Sequence, residues 1–240
     1  MNFDTDIFLQ YALHPSSTYL YGLWLTCFIA LTSVVIGAAI GLIAALFRMS
    51  DNRILQYPVR FYIWVIRGTP LLVQILFLYT ALAAGHIYRF EDIDFGDFIL
   101  PGNIQAAIVA LSISEGAFMA EIIRSGLLSI DKGQYEAAKA LGMTYTRLMR
   151  RIIFPQSMKV IIPGMGNQVN VLLKNTTLVS VIGVPELMLS TQMITSATFR
   201  VFELYLLLTI YFLILTSLWS LVQRRLEKHY SKSEKFIEPS

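Results

Sequence analysis

Residues 20–47 read LYGLWLTCFIALTSVVIGAAIGLIAALF, a stretch without a single charge. A helix needs roughly 20 mostly apolar residues to cross the hydrocarbon core of a bilayer, so this run is predicted to be a transmembrane helix and it decides the class. The rest of the chain agrees. Of its 240 residues 55% are hydrophobic and 15% charged, whereas soluble domains carry about 25% charged residues. One soluble core of this size cannot hide that much apolar surface. High hydrophobicity excludes intrinsic disorder. A lone Cys27 excludes a disulfide scaffold, and a net charge of +3 is too small to argue for a nucleic acid partner. The fold class is therefore all-α, a polytopic membrane protein forming one transmembrane domain over residues 1–240.

Four further apolar stretches complete the expected spans, at 59–85, 104–123, 160–184 and 201–222. The first of these carries Arg67 near its start, the second Glu115 and Glu121, and the last Glu203. Five spans place the two termini on opposite sides. Short loops rich in Lys and Arg stay cytoplasmic. Arg48, Arg53 and Arg60 lie between spans one and two, seven basic residues from Arg124 to Lys159 between three and four, and five from Arg224 to Lys235 after span five. The opposite side has only Arg89 and Arg200, with the acidic run Glu91, Asp92, Asp94, Asp97. The N-terminus is expected outside and the C-terminus in the cytoplasm. The opening MNFDTD has neither a basic region nor a cleavage site, so span one is expected to remain as an anchor. The acidic stretch 88–98 reads as a short loop or interfacial helix, and the polar tail 231–240 as frayed.

The basic segment 129–156 is the most specific. Asp131 is placed to cap a helix, with Gln134 three residues on as the reach-back partner of a capping box. Gly142 falls where a helix end requires a left-handed residue. Thr144 then caps a second helix, 145–153, which Pro155 is expected to end. Tyr135, Ala138 and Leu141 share one side of the first helix. Such a loop suits either docking into a partner or lying on anionic lipid headgroups.

Glu136-Ala137-Ala138, Gly142, Ile152 and Pro155 at these spacings resemble the EAA loop of ATP-binding-cassette importer permeases, with Phe154 where the family usually has Leu. Arg67-Gly68-Thr69-Pro70-Leu71-Leu72-Val73-Gln74 resembles the opening of the second span in polar amino acid permeases. Lys174-Asn175-Thr176-Thr177-Leu178 is similar to a segment of their fourth span, with Asn175 where Asp is frequent. The resemblance runs from about Tyr19 to Glu227, and the group handles histidine, arginine, glutamine, glutamate, cystine and opines. It implies a multi-pass protein of the bacterial inner membrane that pairs with a second permease chain, the same or homologous. It also implies a solute-binding protein outside and a cytoplasmic ATPase subunit dimer carrying the ATP and Mg. The coupling residues it implies are Glu136, Ala137, Ala138, Gly142, Ile152 and Pro155. No cofactor or metal is expected in this chain and no hydrolysis, since it has no Gly-Lys pair and no clustered histidines.

Polar side chains inside a bilayer are costly and by default mark function. Asn167, Asn170 and Lys174 recur at i, i+3 and i+7 on one helical face. With Gln74, Glu115 and Thr176 they form the expected substrate pathway. Lys174 suits a substrate carboxylate or an ion pair with Glu115, and Glu115 suits a substrate cation. Glu121 has Arg124 at i+3 for a structural pair. Pro163, Gly164 and Gly166 are expected to loosen the fourth span. The alternative is a secondary transporter or channel subunit using Lys174 and Glu115 as an ion relay, which favours an internal repeat; none is evident.

Overall fold

The computed structural model describes residues 3–96 and 98–231; Asp97 and the polar tail 232–240 lie outside the described residues. The chain runs as helices α1 (Thr5–Leu13), α2 (Ser17–Arg48), α3 (Arg53–Gly68) and α4 (Leu71–Leu76). The last of these widens into a π turn at Phe77–Ala81 and ends in α5 (Leu82–Ala84). A two-residue antiparallel pair, β1 (Ile93–Asp94) and β2 (Ile99–Leu100), ties the acidic outer loop. After it come α6 (Gly102–Leu128), α7 (Lys132–Ala140) and α8 (Tyr145–Leu148). A π turn at Met149–Ile153 leads into α9 (Phe154–Asn175), a 3₁₀ stretch at Thr176–Ile182, then α10 (Leu187–Thr198) and α11 (Val201–Ser231).

Three helices, α2, α6 and α11, are long and apolar enough to cross a membrane, and two bent helix pairs bring the number to as many as five. The stretch 59–85, expected as one straight span, is one of those pairs: α3 and the α4–α5 segment meet at 110°. Proline disfavours helical backbone in the residue before it, and Thr69 is extended there, at φ −119° and ψ 147°. The carbonyls orphaned at the end of α3 need donors. Gln74 supplies them, its side-chain amide donating to Ile66 O at 2.8 Å and Thr69 O at 3.1 Å. The fourth stretch bends by 53° before α10, where Gly183 is left-handed at φ 77°. Neither α1 nor α10 was expected from the sequence.

Lipid tails are as apolar as leucine, so helices in a membrane associate through close packing more than through burial of apolar area. From Ala30 onward the inward face of α2 is accordingly small: Ala30, Ser33, Gly37, Gly41, Ala44 and Ala45 are buried. A Cβ on Gly41 would lie 2.5 Å from the Met119 Cβ and 3.0 Å from the Ala120 backbone nitrogen, so glycine sets how near α6 comes. The α9 glycines act alike. Cβ atoms on Gly164 and Gly166 would meet Ile122 at 2.7 Å and Gln223 at 2.6 Å, and α9 runs unbroken through Pro163. The expected loosening of that helix is absent, because these residues are points of close approach.

Candidate functional site

Glu115 projects from the middle of α6 and is 2% exposed. Gln168 of α9 donates to its Oε2 at 3.3 Å, while its Oε1, also buried, has no hydrogen-bond partner. The carboxylate faces a cavity of about 320 Å³ between the α3–α4 elbow, α6 and α9, whose polar lining is Thr69, Ser114, Glu115, Gln168 and Asn175. Ile66, Leu71, Phe118, Val171 and Leu172 supply its apolar walls. Few polar groups converging in an apolar cleft is the usual make-up of a small-molecule site.

The remaining expected pathway residues divide. Asn167 accepts from Gln223 at 3.2 Å and Asn170 donates to Ser220 at 3.4 Å, both on α11, so this face joins two helices. Lys174 is exposed, and Glu115 has Gln168, not Lys174, as its partner. Thr176 is fully buried and donates to Leu173 O at 2.8 Å. Gln74 holds the elbow. The cavity instead takes Gln168 and Asn175, seven residues apart, on the face one residue round from the one expected. Thr69, Ser114, Gln168 and Asn175 were missed as site residues. The signal for two of them was present, since Gln168 and Asn175 repeat the helical interval of Asn167 and Lys174.

In the basic loop, Gly142 takes φ 70° between α7 and α8, the left-handed turn the sequence predicts. Asp131 caps α7 by accepting from Gly133 N at 2.6 Å. Gln134 is turned toward Gln156, at 3.4 Å, so its part in the capping box is not seen. Thr144 starts α8 without a side-chain cap bond. Pro155 does not end the helix. It sits in the first turn of α9, and the π turn before it opens the ladder where proline's missing N–H and its ring would otherwise disrupt it.

The apolar side of α7 is split as well. Ala138 is 1% exposed in a cluster with Leu127, Leu148 and Ile153, against which Tyr135 and Ile152 pack. Burial, with Tyr145 nearby, raises the Tyr135 hydroxyl above its ordinary pKa. Leu141 is 81% exposed and Tyr145 69%, beside exposed Glu136 and Ala137. Ala138 and Ile152 thus fix the loop to the bundle, and the outward face is carried by Glu136, Ala137, Leu141 and Tyr145.

An all-helical bundle with broken spans, a cleft holding a few polar groups and a helical loop that packs on the bundle while keeping one face exposed is built as a membrane permease. Over residues 37–232 the chain matches the family described as binding-protein-dependent transport system inner membrane component. The chain belongs to that family. It is 37% identical over 216 residues to the arginine transport system permease protein ArgU of Corynebacterium glutamicum, covering 86% of this chain and 66% of that one. It is 36% identical over 207 residues to the glutamine transport system permease protein GlnP of Escherichia coli (86% and 90%). With the octopine transport system permease protein OccM of Rhizobium radiobacter it shares 39% over 189 residues (78% and 75%). Among solved structures, it is similar to a crystal structure of an amino acid ABC transporter with histidines, at a TM-score of 0.83 and 35% identity, covering 95% of this chain and all of that one. Likeness to the inward-facing MetNI methionine ABC transporter, with a TM-score of 0.71 at 18% identity, concerns the fold alone.

Proposed function

We propose that this chain is the translocation subunit of an ATP-binding-cassette importer for polar amino acids or opines, and that the cavity beside Glu115 holds the solute in transit. The carrying observation is that Glu115 lines this cavity while its carboxylate is buried and has one oxygen lacking any hydrogen-bond partner. Isolated buried polar atoms are costly, and the α-ammonium group common to all amino acids supplies both the charge and the donors that this oxygen lacks. Gln168, Asn175 and Ser114 offer amide and hydroxyl groups for the substrate carboxylate or side chain. Lys174 is exposed and does not line the cavity; its part in this reading is to attract the substrate carboxylate on approach. A Lys174–Glu115 relay, as a secondary transporter would use, has no support in the side-chain contacts.

The loop of α7 and α8 is the contact for a separate cytoplasmic ATPase, which carries the ATP and Mg. Glu136 and Ala137, with Leu141 and Tyr145, form the docking face; Gly142 sets the angle between the helices; Ala138, Ile152 and Pro155 join that face rigidly to α9. Closure of an ATPase dimer on ATP draws two such loops together and, through α9, moves one wall of the cavity. A second permease chain, identical or homologous, completes the pathway, and a solute-binding protein delivers substrate on the side of the acidic loop. The N-terminus lies outside and the C-terminus in the cytoplasm of the inner membrane, as the basic loops require.

Glu115→Gln tests the pocket, since it keeps the shape and removes the charge. A hydrogen bond to a charged group contributes about 1.5–3 kcal/mol, so uptake at low substrate in liposomes containing the assembled transporter should fall roughly tenfold to a hundredfold. Unchanged uptake by that variant would remove Glu115 from the pathway.

A further inference from the structure

Four arginines gather at the basic end of the bundle around one carboxylate. Glu121 pairs with Arg48 at the end of α2, with Arg124 at 3.0 Å on its own helix, and with Arg67 at 3.7 Å in the last turn of α3. Arg48, Arg67 and Glu121, together with Arg60, line a groove of about 380 Å³ whose apolar wall is Ile63 and Trp64. Three arginines thus line the groove beside a single carboxylate, and no other carboxylate among the described residues lines it. Helix α3 starts a few residues after α2 ends, and in its last turn Arg67 reaches the carboxylate that Arg48 holds. Its inner side, Val59, Tyr62, Ile63 and Ile66, packs with Ala44, Ala117 and Ala120. Its outer side is the opposite of what water favours. Ile54, Tyr57, Phe61 and Trp64 recur at three- and four-residue intervals and are 80%, 60%, 64% and 71% exposed.

An aromatic stripe alongside a basic groove matches one environment, the boundary between acyl chains and headgroups. We infer that this groove is a binding site for the headgroup of an anionic phospholipid, whose phosphate is held by Arg48, Arg60 and Arg67 while its acyl chains cover the Ile54–Trp64 stripe. Charge decides against the same face of a second copy as occupant, because two such arginine clusters repel. An anionic lipid has the complementary charge, and basic pockets between membrane helices select such headgroups. Occupancy bears on the pocket above, since Arg67 also stacks its guanidinium 5.5 Å from the centre of the Phe118 ring, a wall of the Glu115 cavity. A lipid phosphate that draws on Arg67 therefore sets the position of the elbow that closes one side of that cavity.

Trp64 is a built-in reporter. The full chain is reconstituted in phosphatidylcholine bilayers containing an equal fraction of either dibrominated phosphatidylglycerol or dibrominated phosphatidylcholine. The Trp64 signal is the difference between the native chain and W64F, a change on an exposed face. Brominated phosphatidylglycerol should bind at Trp64 at least about fivefold more strongly than brominated phosphatidylcholine, and Arg60→Gln should lower that preference about fivefold. Arg60 is exposed, so this variant leaves the Glu121 pairs in place. Equal quenching by the two lipids, or a preference that survives Arg60→Gln, overturns the site. Quenching by neither overturns it too, and shows the stripe to be covered by protein.

Discussion

Glu136 and Glu115 are both glutamates on helices, yet their surroundings give them opposite tasks. Glu115 is buried on α6 against α9 with one amide for a partner, so its remaining need is for a hydrogen-bond donor. Glu136 stands exposed on α7, where a carboxylate gains from water and from any basic partner that approaches. Glu136→Lys should leave the chain folded and inserted, because the side chain is exposed. Coupling to the ATPase should nonetheless be lost: an interfacial charge that meets its complement contributes about 2 kcal/mol or more, roughly a thirtyfold loss of association. The check is ATPase stimulation by the reconstituted complex, and normal stimulation in this variant would take Glu136 out of the docking face.

Between elements, the most extensive contact is that of α2 on α6, and the glycines there carry a testable asymmetry. Gly41→Leu introduces a side chain where a Cβ alone already meets the Ala120 backbone at 3.0 Å, which cannot give way. Overpacking of this kind costs about 1–3 kcal/mol, so the variant should unfold at a clearly lower temperature in mild detergent. Gly68→Ala is the control, since nothing lies within 4 Å of a Cβ built there; equal melting temperatures for the two would show that α2 does not pack as described. The G-x-x-x-G spacing of Gly37 and Gly41 is visible in the sequence and announces a close helix contact, though not with which helix. The elbow is legible too. Thr69-Pro70 disfavours a continuous helix, though α3 and α9 each carry a proline inside, and the Gln74 amide that closes the break reads in sequence as one more polar residue in a span.

For the molecule as a whole, the strongest expectation is orientation, because it rests on the positive loops alone. In a Cys27→Ser background, Glu91→Cys in the acidic loop should react with a membrane-impermeant maleimide on intact spheroplasts. Thr146→Cys, exposed on α8, should react only after permeabilisation. The reverse pattern would invert the protein and move the ATPase contact to the wrong side. Packing supports a coherent unit: the first helix is moored to the last by the Asp4 backbone N–H donating to Glu203 at 2.9 Å and by the Arg200–Asp4 ion pair, also 2.9 Å. The one charge near the start of α11, unexplained in sequence, is thereby accounted for.

The sequence by itself determined the class, the family resemblance, the left-handed turn at Gly142 and the presence of polar positions in the fourth span. Each is a local property, fixed by hydropathy along the chain, by the φ a residue tolerates or by a motif of neighbouring residues. Only the tertiary structure decided which polar face meets which helix. Asn167, Asn170 and Lys174 share an interval with Gln168 and Asn175, and a helix carrying two polar faces 100° apart has the same periodicity whichever way it is turned. Rotation about the helix axis is set by neighbours, here the small face of α2, Gly164 against Ile122 and Trp219 donating to the Gly166 carbonyl at 2.8 Å. Those contacts join residues more than forty positions apart in the chain, and no local pattern encodes them.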